Sequence, residues 1–145
     1  MKKLLIAAII SLSSISTAAL AEIKVGIILG FTGPIESLTP AMRDGAKLAF
    51  LEASNSGNLL DGETLTILEA DSTCVDSAAA TAAAEQLVAD GVSAIMGADC
   101  SGVTGAINAN VAVPNGVLMV SPSATSPGLS KIADSGTFWR TAPSD

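Results

Sequence analysis

The chain has 145 residues and no histidine, which removes the Ser-His and Cys-His pairs that activate nucleophiles in most hydrolases. The G-x-S-x-G elbow of the serine hydrolases is also missing. Asp71, Asp76 and Asp99 could supply the carboxylate pair of a glycosidase, yet nothing in their spacing selects two of them. Gly26, Gly30 and Gly33 follow the pattern G-x-x-x-G-x-x-G, which is neither the dinucleotide fingerprint nor a P-loop with its lysine. Gly30 and Gly33 are read as turn formers. Cys74 and Cys100 alone do not make a usual zinc ligand set. No metal, no cofactor and no catalytic residue is expected, and the chain is read as not an enzyme.

Binding chemistry is easier to build. Ser101 and Gly102 stand where a helix should begin, so their backbone N–H groups and the helix dipole form a place for a carboxylate, to which the Ser101 hydroxyl can add. Plain N-capping explains Ser101 about equally well. Further on, Ser123 can offer a backbone carbonyl and Thr125 a hydroxyl, although turn capping also accounts for Thr125. Together the two loops present the donors and acceptors that a zwitterionic amino acid would satisfy.

The elements that must position these residues follow from apolar patterning. Ile23, Val25, Ile27 and Leu29 form a short apolar run ended by Gly30, a buried strand. Thr39-Pro40 reads as an N-cap followed by a first-turn proline, opening a helix to Ala53 with Met42, Ala46, Ala49 and Phe50 on one face. A turn at Leu59 to Glu63 precedes a strand from Thr64 to Ala70. The alanine-rich stretch Ser77 to Ala89 is a helix ending before Gly91, and Val92 to Met96 is a third strand. Gly102 to Ala112 is a helix of weaker propensity, Val117 to Val120 a fourth strand, and Ser121 to Gly128 a Pro/Ser-rich loop. A helical turn at Leu129 to Ala133 and a strand at Phe138 to Thr141 complete the pattern. Strands alternating with helices imply α/β architecture, a doubly wound parallel sheet covered on both faces. Ligands of such sheets bind at the carboxyl ends of the strands, which selects the loops 30–38, 71–76, 97–102 and 121–128.

Residues 1–21 read as a signal peptide. Lys2 and Lys3 precede an apolar run too short to span a bilayer, and Ala19-Leu20-Ala21 fits the cleavage pattern. The mature part is then residues 22–145, and its expected location is the periplasm. Seven Lys and Arg stand against 14 Asp and Glu, a net charge of −7, and loss of Lys2 and Lys3 makes the mature part more acidic still. Nucleic acid is excluded as a partner on that ground. Two cysteines in an exported chain suggest one disulfide; two free buried thiols are the alternative.

Residues 23–145 resemble the type I periplasmic binding proteins of branched-chain amino acid ABC transporters, the leucine/isoleucine/valine-binding group and its amide-binding relatives. The resemblance rests on several short motifs in order: Ile23-Lys24-Val25-Gly26, Phe31-Thr32-Gly33-Pro34, Asp44-Gly45-Ala46, Met96-Gly97, Ser121-Pro122-Ser123-Ala124-Thr125, and Arg140-Thr141-Ala142-Pro143-Ser144-Asp145. It implies a Cys74–Cys100 disulfide between the second and third loops. Carboxylate contacts from Ser101 and Thr125 are implied, as are ammonium contacts from the Ser123 carbonyl and the Thr125 hydroxyl. Leu38 falls where some members place an aromatic residue against the ligand side chain. Asp99 stands where an uncharged residue is common, and an acidic neighbour there would repel a carboxylate or grip an amine or amide. The resemblance also implies that residues 22–145 are a partial first lobe with the second lobe absent, that the whole protein is a monomer, and that it passes an amino acid or amide to an inner-membrane ABC permease. A sensor domain of a signalling receptor and an exported hydrolase are the rival readings.

Overall fold

The computed structural model of the chain describes residues 22–59 and 62–145. The signal segment expected at 1–21, and Leu60 and Asp61 of the expected turn, lie outside the described residues. Five strands form one sheet: β1 (Ile23–Leu29), β2 (Leu65–Asp71), β3 (Val92–Gly97), β4 (Leu118–Ser121) and β5 (Phe138–Arg140). Their spatial order is β2-β1-β3-β4-β5, with every neighbouring pair parallel. The doubly wound reading holds, and each expected strand is found within one or two residues of its place.

Three helical segments connect the first four strands. α1 (Thr39–Asn55) follows β1 and α2 (Ser77–Ala89) follows β2. Asp76 caps α2, its carboxylate accepting the Ala78 and Ala79 N–H groups at 2.9 and 3.0 Å, an arrangement worth about 1 kcal/mol. α1 differs in detail from the sequence reading. Leu38, not Thr39, is its N-cap, and the Thr39 hydroxyl donates back to the Glu36 carbonyl at 3.1 Å, so the threonine already lies inside the first turn.

The third segment starts at Ser101, one residue earlier than its propensity suggests, and runs past Ala112. It comprises α3 (Ser101–Ile107), a π-helical stretch over Asn108–Ala112 and α4 (Val113–Asn115). Pro114 supplies no N–H to the ladder, and the widened turns sit immediately before it. The Asn115 side chain donates to the Val111 carbonyl at 2.8 Å, and Gly116, at φ 63°, ends the segment. A 3₁₀ turn at Pro127–Lys131 precedes β5.

The period of two along each strand divides the core. On one face, Ile28, Ile95, Met119 and Phe138 meet Ala80, Ala84 and Leu87 of α2 and Val103 and Ile107 of α3. A Cβ at Gly26 would come within 2.9 Å of Leu87 Cδ1, so the glycine lets α2 sit close to β1. Val25, Ile27 and Leu29 point to the other face and are buried there, each contributing about 1.5–3 kcal/mol. That second face is only partly covered. Ala46, Ala49 and Phe50 of α1 form one bank of an open groove of about 330 Å³ whose other bank is Ala94, Met96, Leu118 and Val120. Trp139 is exposed, but Phe138 is buried among the core residues of β4 and the 3₁₀ turn.

Candidate functional site

The strand order reverses direction between β1 and β3, which opens a crevice at their carboxyl ends. Two glycines let the loops crowd there. Gly97 ends β3 at φ 134°, and a Cβ on it would overlap the Ile28 carbonyl oxygen. Gly33, a turn former as expected, takes φ 100° and carries the first loop against the Thr73 carbonyl, 2.5 Å from where a Cβ would stand. Cys74 and Cys100 are bonded, with Cα atoms 5.2 Å apart, and the bridge joins the loop after β2 to the loop after β3.

Asp99 lies at this crossing and is 3% exposed. One carboxylate oxygen accepts the Gly30 N–H at 2.8 Å. The other accepts the Cys100 N–H at 3.0 Å and the Ser72 hydroxyl at 3.3 Å. Its carbonyl accepts the Ser123 hydroxyl at 3.0 Å. The acidic group is thus turned inward and engaged by the protein, which corrects the expectation of an acidic neighbour facing the ligand.

Cys100 is the N-cap of α3, extended at φ −96° and ψ 131°, with no side-chain cap hydrogen bond. Ser101 and Gly102 are the first two helical residues, where backbone N–H groups lack partners within the helix. Ser101 does not cap. Its Oγ accepts the Ser126 N–H from the neighbouring loop at 3.1 Å, and its own proton is spent in no hydrogen bond among the described residues. Thr125 does not cap a turn either, since Ser126 accepts the Gly128 N–H at the 3₁₀ turn. The Thr125 hydroxyl donates to the Asp145 carboxylate at 2.8 Å, while the Asp145 N–H donates to the Thr125 carbonyl at 3.0 Å. The Thr125 oxygen therefore keeps only lone pairs to offer. The Ser126–Ser101 and Ser123–Asp99 hydrogen bonds place Ser101, Ser123 and Thr125 on adjoining loops. Leu38 stands on the same sheet edge, 57% exposed, with its N–H on the Ile35 carbonyl at 2.9 Å.

Arg140 escaped the sequence reading as a site element. Its guanidinium donates to the Ala124 and Ser126 carbonyls at 3.1 and 2.9 Å and to the Ser130 hydroxyl. These carbonyls flank Thr125, so β5 fixes the fourth loop from below.

The remaining carboxylates are also held by the loops. Asp71 accepts the Thr32 hydroxyl at 2.5 Å, the Thr32 N–H at 3.3 Å and the Thr73 N–H at 2.8 Å. Burial pushes its pKa up, but hydrogen bonds from Thr32 and from backbone N–H groups outweigh burial and hold the group below its ordinary value. Asp76 is the α2 cap. Asp71, Asp76 and Asp99 each accept main-chain N–H groups, an arrangement that joins loops and caps a helix. No group of three or more His, Cys, Asp or Glu side chains suited to a metal occurs among the described residues, and no helix there is long and apolar enough to cross a membrane.

Known proteins are similar to this chain in sequence and fold. The sequence profile described as periplasmic binding protein matches residues 22–145. The Leu/Ile/Val-binding protein BraC3 of Rhizobium johnstonii is 33% identical over 129 residues, which are 89% of this chain and 34% of that protein. The branched-chain amino acid transporter substrate-binding protein LivJ of Streptococcus pneumoniae, solved in complex with isoleucine, superposes with a TM-score of 0.76 at 31% identity, over 86% of this chain and 34% of its own. An ABC transporter substrate-binding protein of Desulfitobacterium hafniense in complex with Leu gives a TM-score of 0.70 at 29% identity, over 86% and 35%. The chain spans about a third of the length of these relatives. A profile match across every residue from 22 to 145, a parallel five-stranded sheet and relatives above 30% identity agree, and the chain belongs to the periplasmic binding protein family.

Proposed function

We propose that residues 22–145 form one wall of the ligand site of a periplasmic amino-acid-binding protein, which delivers its ligand to an inner-membrane ABC permease. The observation that carries this reading is the opposite hydrogen-bond polarity of two neighbouring hydroxyls. Ser101 accepts from the protein and has a proton to donate; Thr125 donates to the protein and has lone pairs to offer. A carboxylate suits the first, along with the Ser101 and Gly102 N–H groups. An ammonium suits the second, along with the Ser123 carbonyl. A carboxylate contact from Thr125 would have to come from its backbone N–H, because the hydroxyl proton is in use. Relatives bound to isoleucine and Leu make a branched-chain amino acid the ligand of choice, with Leu38 toward its side chain. In this reading the protein is a monomer, not an enzyme, exported by way of residues 1–21.

Calorimetry on the full-length protein tests the assignment. Ser101→Ala and Thr125→Ala should each weaken leucine binding by about 1–3 kcal/mol, since each removes a hydrogen bond to a charged group. Ser101→Ala should also weaken 4-methylpentanoate, which keeps only the carboxylate, and spare 3-methylbutylamine, which keeps only the amine; Thr125→Ala should do the reverse. Two variants that bind all three compounds like the parent would place the site elsewhere.

A further inference from the structure

All four carboxyl-end loops touch one residue. Gly30 belongs to the loop after β1, Ser72 to the loop after β2, Cys100 to the loop after β3 and Ser123 to the loop after β4, and each makes a hydrogen bond to Asp99. The first three end on its carboxylate, which is 3% exposed. The hub continues one residue earlier, where the Ala98 carbonyl accepts the Ser121 hydroxyl at 2.5 Å and the Thr104 hydroxyl at 3.1 Å. Gly30 also packs against Cys74, whose Cβ lies 3.1 Å from where a Cβ on Gly30 would stand. Three segments that are distant in sequence are therefore fastened to the loop after β3 through a single buried residue.

We infer that Asp99 is a positioning residue that sets the spacing between the Ser101 and Thr125 hydroxyls, and with it the protein's selectivity for ligands that carry both an acid and an amine. The inference rests on the ligand reading above. A carboxylate can accept from three donors at once, because each oxygen has two lone pairs and neither carries a proton. An amide cannot. Its NH₂ would face either the Gly30 N–H or the Cys100 N–H, donor against donor, and the loop concerned must retreat. Ser101 follows Cys100 directly, and Ser123 hangs from the Asp99 carbonyl two residues before Thr125. Movement at Asp99 thus changes the distance between the two hydroxyls without removing either one. A ligand held at both ends feels that change, and a ligand held at one end does not.

The test uses the full-length protein with leucine, 4-methylpentanoate and 3-methylbutylamine as probes. Asp99→Asn should weaken leucine by roughly tenfold to a hundredfold while each one-ended probe changes by less than about threefold. Ser72→Ala, which removes one tie and leaves the carboxylate in place, should weaken leucine by a smaller factor with the same pattern. It also serves as the informative variant if Asp99→Asn does not fold. Amide hydrogen exchange without ligand supplies an independent readout: Gly30 and Cys100 should exchange at least about tenfold faster in Asp99→Asn, and Gly30 faster in Ser72→Ala. Equal weakening of all three probes would show a general loss of structure and overturn the positioning role, as would leucine affinity unchanged in both variants. If the parent itself fails to bind leucine, the ligand reading falls. Exchange then decides Asp99, with unchanged Gly30 protection counting against it.

Discussion

Breaking the Cys74–Cys100 bond, by reduction or in Cys74→Ser/Cys100→Ser, should cost about 3.5 kcal/mol of stability. The bridge spans a sequence separation of 26 residues, and the chain-entropy relation for a loop of that length gives about 3.5 kcal/mol at room temperature. Little of this should come from the folded state. The two bridged loops are also joined through Asp99, which holds the Ser72 hydroxyl and the Cys100 N–H, and through the packing of Gly30 on Cys74. The native arrangement therefore survives reduction, and the loss appears as greater freedom of the unfolded chain. Urea unfolding followed by circular dichroism reads it directly. With a slope of about 1–3 kcal/mol per molar urea, the midpoint should fall by roughly 1–3 M. Alkylation followed by intact-mass measurement should find no free thiol before reduction. A midpoint that does not move on confirmed reduction would refute the reasoning, since the loop would then be closed already in the unfolded chain.

Other outcomes follow from the same contacts. Residues 22–145 alone should bind leucine at least about a hundredfold more weakly than the full-length protein, because five solvent-open hydrogen bonds, at about 0.5–1.5 kcal/mol each, barely offset an association cost of about 4–15 kcal/mol; micromolar binding by titration calorimetry would contradict this. Asp71 is depressed below its ordinary value of 3.8. The stability it adds is present above that value and is lost as pH falls through the lower folded value. Asp71→Asn should therefore flatten the acid limb of a stability–pH profile and leave its slope near neutrality unchanged, which thermal melts across the range would show.

The architecture was legible because it is written locally. The apolar runs ended by Gly30 and Gly97, and the alanine-rich stretch closed by Gly91, mark βα units without knowledge of what they touch. The ends that were misplaced have local causes as well. Thr39 resembles a cap in sequence, yet its hydroxyl turns back to Glu36. The third helical segment runs past its expected end at Ala112, because the widened turns before Pro114 let it continue. Ser101, Ser123 and Thr125 could be picked out because their types suit polar recognition and their segments had to lie at strand ends. The ties that orient them could not. Asp99 meets Gly30 across 69 positions and Ser72 across 27, and Arg140 reaches Ala124 across 16. A lone carboxylate between Ala98 and Cys100 has no periodicity to show which way it faces. Its meaning comes from three donors that only the folded chain assembles.

The position of β1 in the sheet also bears on how the chain must be handled while it is made. Synthesis runs from the N-terminus, so Ile23–Leu29 is the first strand to emerge, yet it ends up with β2 on one side and β3 on the other. Its Ile27, Ile28 and Leu29 are fully enclosed in the finished structure. Until Leu65–Asp71 appears, both edges of this strand are open, and one remains open until Val92–Gly97 arrives. For that interval the nascent chain carries a β-branched apolar segment with unpaired edges, the kind of segment that pairs readily with other chains. Of the strands that gain two neighbours, the earliest waits longest for its second, so a holding factor that masks it until about a hundred residues have emerged would protect the yield of the protein.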